Sequence, residues 1–136
     1  MKKPSLSQSV VLTLKSPALR YSGAGFLYRE KERVLYEAYE GAAAFRLSLS
    51  DRVCLNGRCI SYEEFNRKFL SPCYPKELIK RVLLARPIKS LKEDKEGFVE
   101  RLKSSCFDIV YSIRGDQVRF VDRKNHILIK VRRIDG

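Results

Sequence analysis

Apolar and polar residues alternate along most of this chain, and a period of two places one set of side chains on one face of a strand. Val10, Leu12 and Leu14 share a face in the first such segment. Ala24, Phe26 and Tyr28 continue the pattern after Gly23, and Val34, Tyr36 and Ala38 follow. Phe45-Arg46-Leu47-Ser48-Leu49-Ser50, apolar at odd positions and polar at even ones, predicts a half-buried strand. Asn56-Gly57 then predicts a tight hairpin, since both residues tolerate positive φ.

From Ser61 the period changes. Glu64 stands three residues after Ser61, a capping-box spacing that opens a helix with Tyr62, Phe65 and Phe69 as its apolar stripe. Pro72 ends that helix, and Pro75 sits where a first helical turn accepts proline. A second helix over 76–84 carries Leu78, Ile79, Val82 and Leu83 on one face and closes before Pro87. The polar run 89–97 predicts an exposed loop, and Phe98 to Lys103 a strand. Alternation resumes with Phe107, Ile109, Tyr111 and Ile113. Arg114-Gly115-Asp116 predicts a turn, Val118 and Phe120 point inward, Lys124-Asn125 turns again, and Ile127, Ile129 and Val131 form the last strand.

The pattern implies a mainly β, α+β fold: an antiparallel sheet with an inner face rich in large apolar residues, covered by two amphipathic helices, which either fills its interior or leaves a cavity for one hydrophobic ligand. The 136 residues fit a single domain, with 1–8 as a flexible N-terminal segment. No apolar run approaches the ~20 residues of a membrane-spanning helix. Met1-Lys2-Lys3-Pro4-Ser5 has the charge of a signal peptide but no apolar run after it, so the chain reads either as cytoplasmic or as starting just after a removed export signal.

Charge changes the picture of the surface. Twenty-eight Lys and Arg against 16 Asp and Glu give a net charge of +12, which calls for an anionic partner or serves solubility alone. Arg119, Lys130 and Arg132 lie opposite the apolar face, where anionic head groups would meet them. Nucleic acid is the weaker partner, because Phe26, Tyr28, Tyr36 and Phe45 fall on apolar faces rather than among the basic residues.

Four cysteines permit disulfides. If Leu55 and Arg58 close the Asn56-Gly57 turn, Cys54 and Cys59 face each other as a non-hydrogen-bonded pair, with Cα atoms near 4.5 Å and within disulfide reach. Cys73 and Cys106 are left either to pair or to stay reduced, and the four-cysteine spacing matches no familiar zinc pattern. Catalysis finds little support: His126 is the only histidine and sits at a turn, no nucleophile–base pair has local logic, and no Gly-rich phosphate loop precedes a helix. No enzyme activity and no cofactor are expected.

In element order the chain resembles the outer-membrane lipoprotein receptor family, the LolB-like proteins. The resemblance runs through Tyr21-Ser22-Gly23-Ala24-Gly25-Phe26, Phe45 to Leu49, a hairpin, Tyr62-Glu63-Glu64 opening one helix and Pro75 to Pro87 forming a second. It ends with the closing strands Phe107 to Tyr111 and Ile127 to Val131. It implies a single curved antiparallel sheet, a half-open β-barrel, covered by two or three helices around an apolar cavity that takes lipoprotein acyl chains or other lipids. The positions that would line it are Phe26, Tyr28, Tyr36, Phe45, Leu47, Leu49, Phe65, Phe69, Ile79, Val82, Leu83, Ile109, Tyr111, Phe120 and Ile129. It also implies a LolA-like periplasmic carrier as partner and attachment to the inner leaflet of the outer membrane through a lipid anchor preceding this chain. Two features depart from the family: Glu40-Gly41-Ala42 stands where the family carries an exposed leucine, and tryptophan is absent. A lipopolysaccharide-assembly lipoprotein, to which the basic charge is suited, and a basic nucleic-acid module are the alternatives.

Overall fold

The alternating segments become ten strands and the 3.6-period segments two helices. The computed structural model describes residues 7–38, 45–88 and 97–134. Glu40-Gly41-Ala42, residues 89–96 of the polar run and residues 1–6 of the expected N-terminal segment lie outside the described residues.

The strands are β1 (Gln8–Ser16), β2 (Leu19–Arg29), β3 (Val34–Ala38), β4 (Arg46–Leu49), β5 (Val53–Leu55) and β6 (Arg58–Ile60). After α1 (Tyr62–Phe69) and α2 (Leu78–Leu83) come β7 (Gly97–Lys103), β8 (Asp108–Arg114), β9 (Gln117–Asp122) and β10 (Ile127–Arg133). They form one antiparallel sheet in the order β6-β5-β4-β3-β2-β1-β10-β9-β8-β7, which does not close. Two meanders therefore run outward from a central pair made by the first and last strands. The turns are the predicted ones: Asn56 and Gly57 both take positive φ (52° and 89°) between β5 and β6, and Gly115 (φ 55°) turns β8 into β9.

One face of the sheet is the core. Val10, Leu12, Leu14, Leu27, Val34, Tyr36, Leu47, Leu49, Ile109, Tyr111, Phe120, Ile129 and Val131 are all at most 3% exposed, and Tyr62, Phe65, Leu78, Ile79, Val82 and Leu83 meet them from the helices. Ten strands span roughly 43 Å at ~4.8 Å per step, whereas the helices are only about 12 and 9 Å long. A flat sheet would leave its outer strands bare. Instead the helical layer reaches both halves: Tyr62 Oη donates to Ser50 O (2.6 Å) at the β4–β5 turn, and Tyr111 Oη on β8 donates to Arg86 O (2.8 Å) after α2. Arg29 Nε on β2 donates to Leu83 O at 2.6 Å. The sheet therefore bends over its helices.

In β2 the observed inward set differs from the predicted one. Val10, Leu12 and Leu14 of β1 pair with Gly25, Gly23 and Tyr21, so those positions and Leu27 face the core. Phe26, 39% exposed, and Tyr28 lie on the outer face, which corrects their expected inward orientation. The reason is steric. A Cβ on Gly25 would run into Glu37 O and the Tyr36 ring, so the glycine leaves the space that the tyrosine ring fills.

The helices start and stop as their end chemistry dictates. Ser61 Oγ accepts from Glu64 N at 3.1 Å, the predicted cap of α1. α2 is shorter than predicted at both ends. Leu78 N bonds Pro75 O in a tighter turn, and Glu77 gives no side-chain cap. At the other end Arg86 N reaches Arg81 O and Ala85 N reaches Val82 O, a Schellman closure with Ala85 in the left-handed region (φ 60°). Alanine is strained there and glycine is not. Ala85→Gly should therefore stabilise the fold by about 0.5–1 kcal/mol, read as a higher urea midpoint; an unchanged or lower midpoint refutes the strain.

Candidate functional site

Of the positions predicted to line a cavity, Tyr36, Leu47, Leu49, Phe65, Ile79, Val82, Leu83, Ile109, Tyr111, Phe120 and Ile129 are buried core, and Phe45 and Phe69 pack against it. Among the described residues these eleven core positions are each at most 1% exposed. The gap between Leu14, Phe65, Leu70, Ile79 and Ile129 holds no water-sized volume. Phe45 stacks on Tyr21 with ring centroids 3.9 Å apart, and Tyr21 Oη and Tyr36 Oη lie 2.9 Å apart, with Tyr36 donating to Gly23 O.

Space opens toward the β6 edge. A cleft of about 270 Å³ lies between α1 and the β5–β6 hairpin. Its walls are Val53, Leu55 and Ile60 from the hairpin and Phe65 and Phe69 from the helix, with exposed Arg58 and Lys68 also lining it. Lys68 pairs with Glu64 at 3.4 Å, while Arg58 has no ion-pair partner among the described residues. Phe65 and Phe69 stand one helical turn apart, their centroids 5.2 Å from each other, so α1 presents a continuous apolar stripe to the hairpin.

Both disulfides brace this architecture. Cys54 and Cys59 are directly opposed on β5 and β6 with Cα atoms 4.0 Å apart, as the hairpin register predicts, and they pin the hairpin wall of the cleft. Cys73 pairs with Cys106 (Cα–Cα 6.5 Å), joining the α1–α2 connection to the β7–β8 turn. Sequence left that second pair open, because its partners are 33 residues apart and share no element.

A buried polar hub escaped the sequence reading. Asp122, fully buried on the inner face of β9, accepts from the Tyr74 hydroxyl, from Asn125 Nδ2 at 2.7 Å, and from the backbone N–H groups of Asp108, Lys124 and Asn125. Burial pushes its carboxyl up, but the hydrogen bonds of Tyr74, Asn125 and the backbone outweigh burial and hold it below the usual carboxylate range. Burial, then the Asp122 hydrogen bond, raises the Tyr74 phenol far above its ordinary value. Lys80 is a second buried polar group, ion-paired with Glu32 (3.4 Å) and Glu77 (3.5 Å). These groups fasten helices to sheet. Among the described residues no cluster of three or more His, Cys, Asp and Glu could hold a metal ion, and no helix is long and apolar enough to cross a membrane.

Arg119, Lys130 and Arg132 are exposed on the outer face. Arg119 and Lys130 are direct cross-strand partners, and Arg132 follows two residues along β10. That face is turned away from the core and the helices, so the structure does not bring these cations to the apolar positions. His126, exposed at φ 58°, closes the β9–β10 turn. No protein-family model and no curated protein matches the chain.

Proposed function

We propose that the protein binds acyl chains, as a periplasm-facing lipid-binding module of LolB type anchored to the outer membrane. In this reading the open sheet is a half-barrel. Its ligand space is the cleft between α1 and the β5–β6 hairpin, and a lipoprotein acyl chain passes in from a LolA-like carrier on its way to the membrane.

The observation that carries the reading is the cleft itself: apolar walls of Val53, Leu55, Ile60, Phe65 and Phe69 beside exposed Arg58, at the open edge of the sheet. At about 270 Å³ it falls just under the ~300–1,000 Å³ of drug-sized sites, a fit for one chain rather than a whole lipid. Two disulfides agree with an oxidising compartment such as the periplasm.

Native mass spectrometry of protein isolated from cells tests the reading. A population carrying one lipid-mass adduct, displaced by a fluorescent fatty acid, is the expected result. Protein that carries only its own mass and leaves the fluorescent fatty acid free would remove the proposal. Co-purifying RNA in place of lipid would point to the basic-module alternative.

A further inference from the structure

The +12 net charge has a local focus that the acyl cleft does not use. At the β1–β2 turn end of the sheet a groove of about 690 Å³ is lined by Lys15, Arg20, Arg123 and His126 over Val121 and Leu128, and Asp122 also borders it, its buried carboxylate taken up by the five donors of the polar hub. The four basic side chains are exposed, and none forms an ion pair with a described residue.

Register explains how the charges converge. Lys15 on β1 is directly opposite Arg20 on β2 and, on its other side, Leu128 on β10. Lys130, two residues along β10 from Leu128, is opposite Thr13 on β1 and Arg119 on β9. Arg119, Lys130, Lys15 and Arg20 thus form a diagonal row across four adjacent strands, each neighbour within about 8 Å of the next at Cβ. Two of the three steps are like charges directly opposed, an arrangement that destabilises a sheet unless an anion sits between them. The groove lies at the Lys15–Arg20 end of that row. There the β9–β10 turn adds Arg123 and His126, and Asp122 holds that turn rigid through Lys124 N (3.0 Å) and Asn125 N (3.3 Å).

We propose that this groove binds a phosphomonoester, the chemistry shared by a phosphorylated lipid head group and a free organic phosphate. A phosphomonoester carries about 1.5–2 negative charges and three acceptor oxygens at neutral pH, matching clustered Lys and Arg donors. Val121 and Leu128 offer the organic part an apolar floor. The groove contains no Phe, Tyr or Trp side chain and only one small ring, the His126 imidazole, so it lacks the large stacking platform with which single-stranded nucleic acid is held. This site is independent of the acyl cleft and stands or falls separately from it.

The test uses the full chain with four probes: phosphatidylcholine vesicles with and without phosphatidic acid, glycerol 3-phosphate, and a short single-stranded RNA. Binding to phosphatidic acid vesicles or to glycerol 3-phosphate is expected, weakening steeply with added salt. An Arg20→Gln/Arg123→Gln double variant should lose at least about tenfold in affinity, whereas Arg52→Gln/Arg67→Gln, with the same change in net charge at exposed positions elsewhere, should bind as wild type. Binding to the vesicles alone identifies a membrane head group, and equal binding of glycerol 3-phosphate identifies a free phosphate; both support the site. The proposal is overturned if neither phosphomonoester binds, if RNA alone binds, or if the two double variants lose affinity equally.

Discussion

Asp122→Ala should cost about 3–5 kcal/mol, because it leaves the Tyr74 hydroxyl, the Asn125 amide and three backbone N–H groups without their shared acceptor. Set against a total stability of about 5–15 kcal/mol, the variant should be close to unfolding at 37 °C. Asp122→Asn keeps the side-chain shape and one carbonyl oxygen, so it should lose less. Urea unfolding followed by tyrosine fluorescence, without reductant, measures both. An Asp122→Ala midpoint within error of wild type would show that water replaces the hub without penalty.

The same carboxylate predicts the response to acid. Its folded-state pKa is held below the ordinary carboxylate value by hydrogen bonds that outweigh burial. The unfolded chain therefore takes up a proton at higher pH than the folded chain does. The stabilisation is complete above the unfolded value of about 3.9 and is lost as the pH falls through the lower folded value. Wild type should weaken more steeply than Asp122→Asn across that acidic interval; equal slopes would mean that other carboxylates set the acid limit.

The turns and most strand faces were legible because their signals are local. Asn56-Gly57 sets its own hairpin, and the hairpin sets the register that opposes Cys54 and Cys59. Ser61 and Glu64 locate a helix start from three residues' separation. β2 was misread for a physical reason: hydrophobic alternation weighs side chains, and glycine has none to weigh. Its inward positions Gly23 and Gly25 look neutral, while outward Phe26 and Tyr28 look like core. The core volume at Gly25 is supplied by Tyr36 of the neighbouring strand, a fact of pairing rather than of sequence pattern, and at Gly23 by the Tyr21 ring of β2 itself. Asp122 was invisible for the same reason, since Tyr74 lies 48 residues away and reaches it only after the helical layer docks. The cleft depends on how far α1 stands from the β5–β6 hairpin, and period-two and period-3.6 patterns carry no distance between elements.

That distinction between core and cleft predicts opposite outcomes for one kind of substitution. Val82 and Leu47 are 0% exposed, packed between helix and sheet with no room for an indole. Val82→Trp and Leu47→Trp should each overpack and destabilise by about 1–3 kcal/mol or more, so any loss of lipid binding will track loss of fold. Ile60 is only half-buried and lines the cleft from edge strand β6, where a larger ring can grow into the open space. Ile60→Trp should keep the urea midpoint within about 0.5 kcal/mol of wild type while filling most of the volume that an acyl chain needs. Its affinity for a fluorescent fatty acid should then fall by about tenfold or more, equivalent to ~1.4 kcal/mol of lost binding. Full fatty-acid affinity in a folded Ile60→Trp variant would remove the cleft as the acyl site, and lost lipid binding in core variants that stay stably folded would place the ligand in the sheet–helix interior instead.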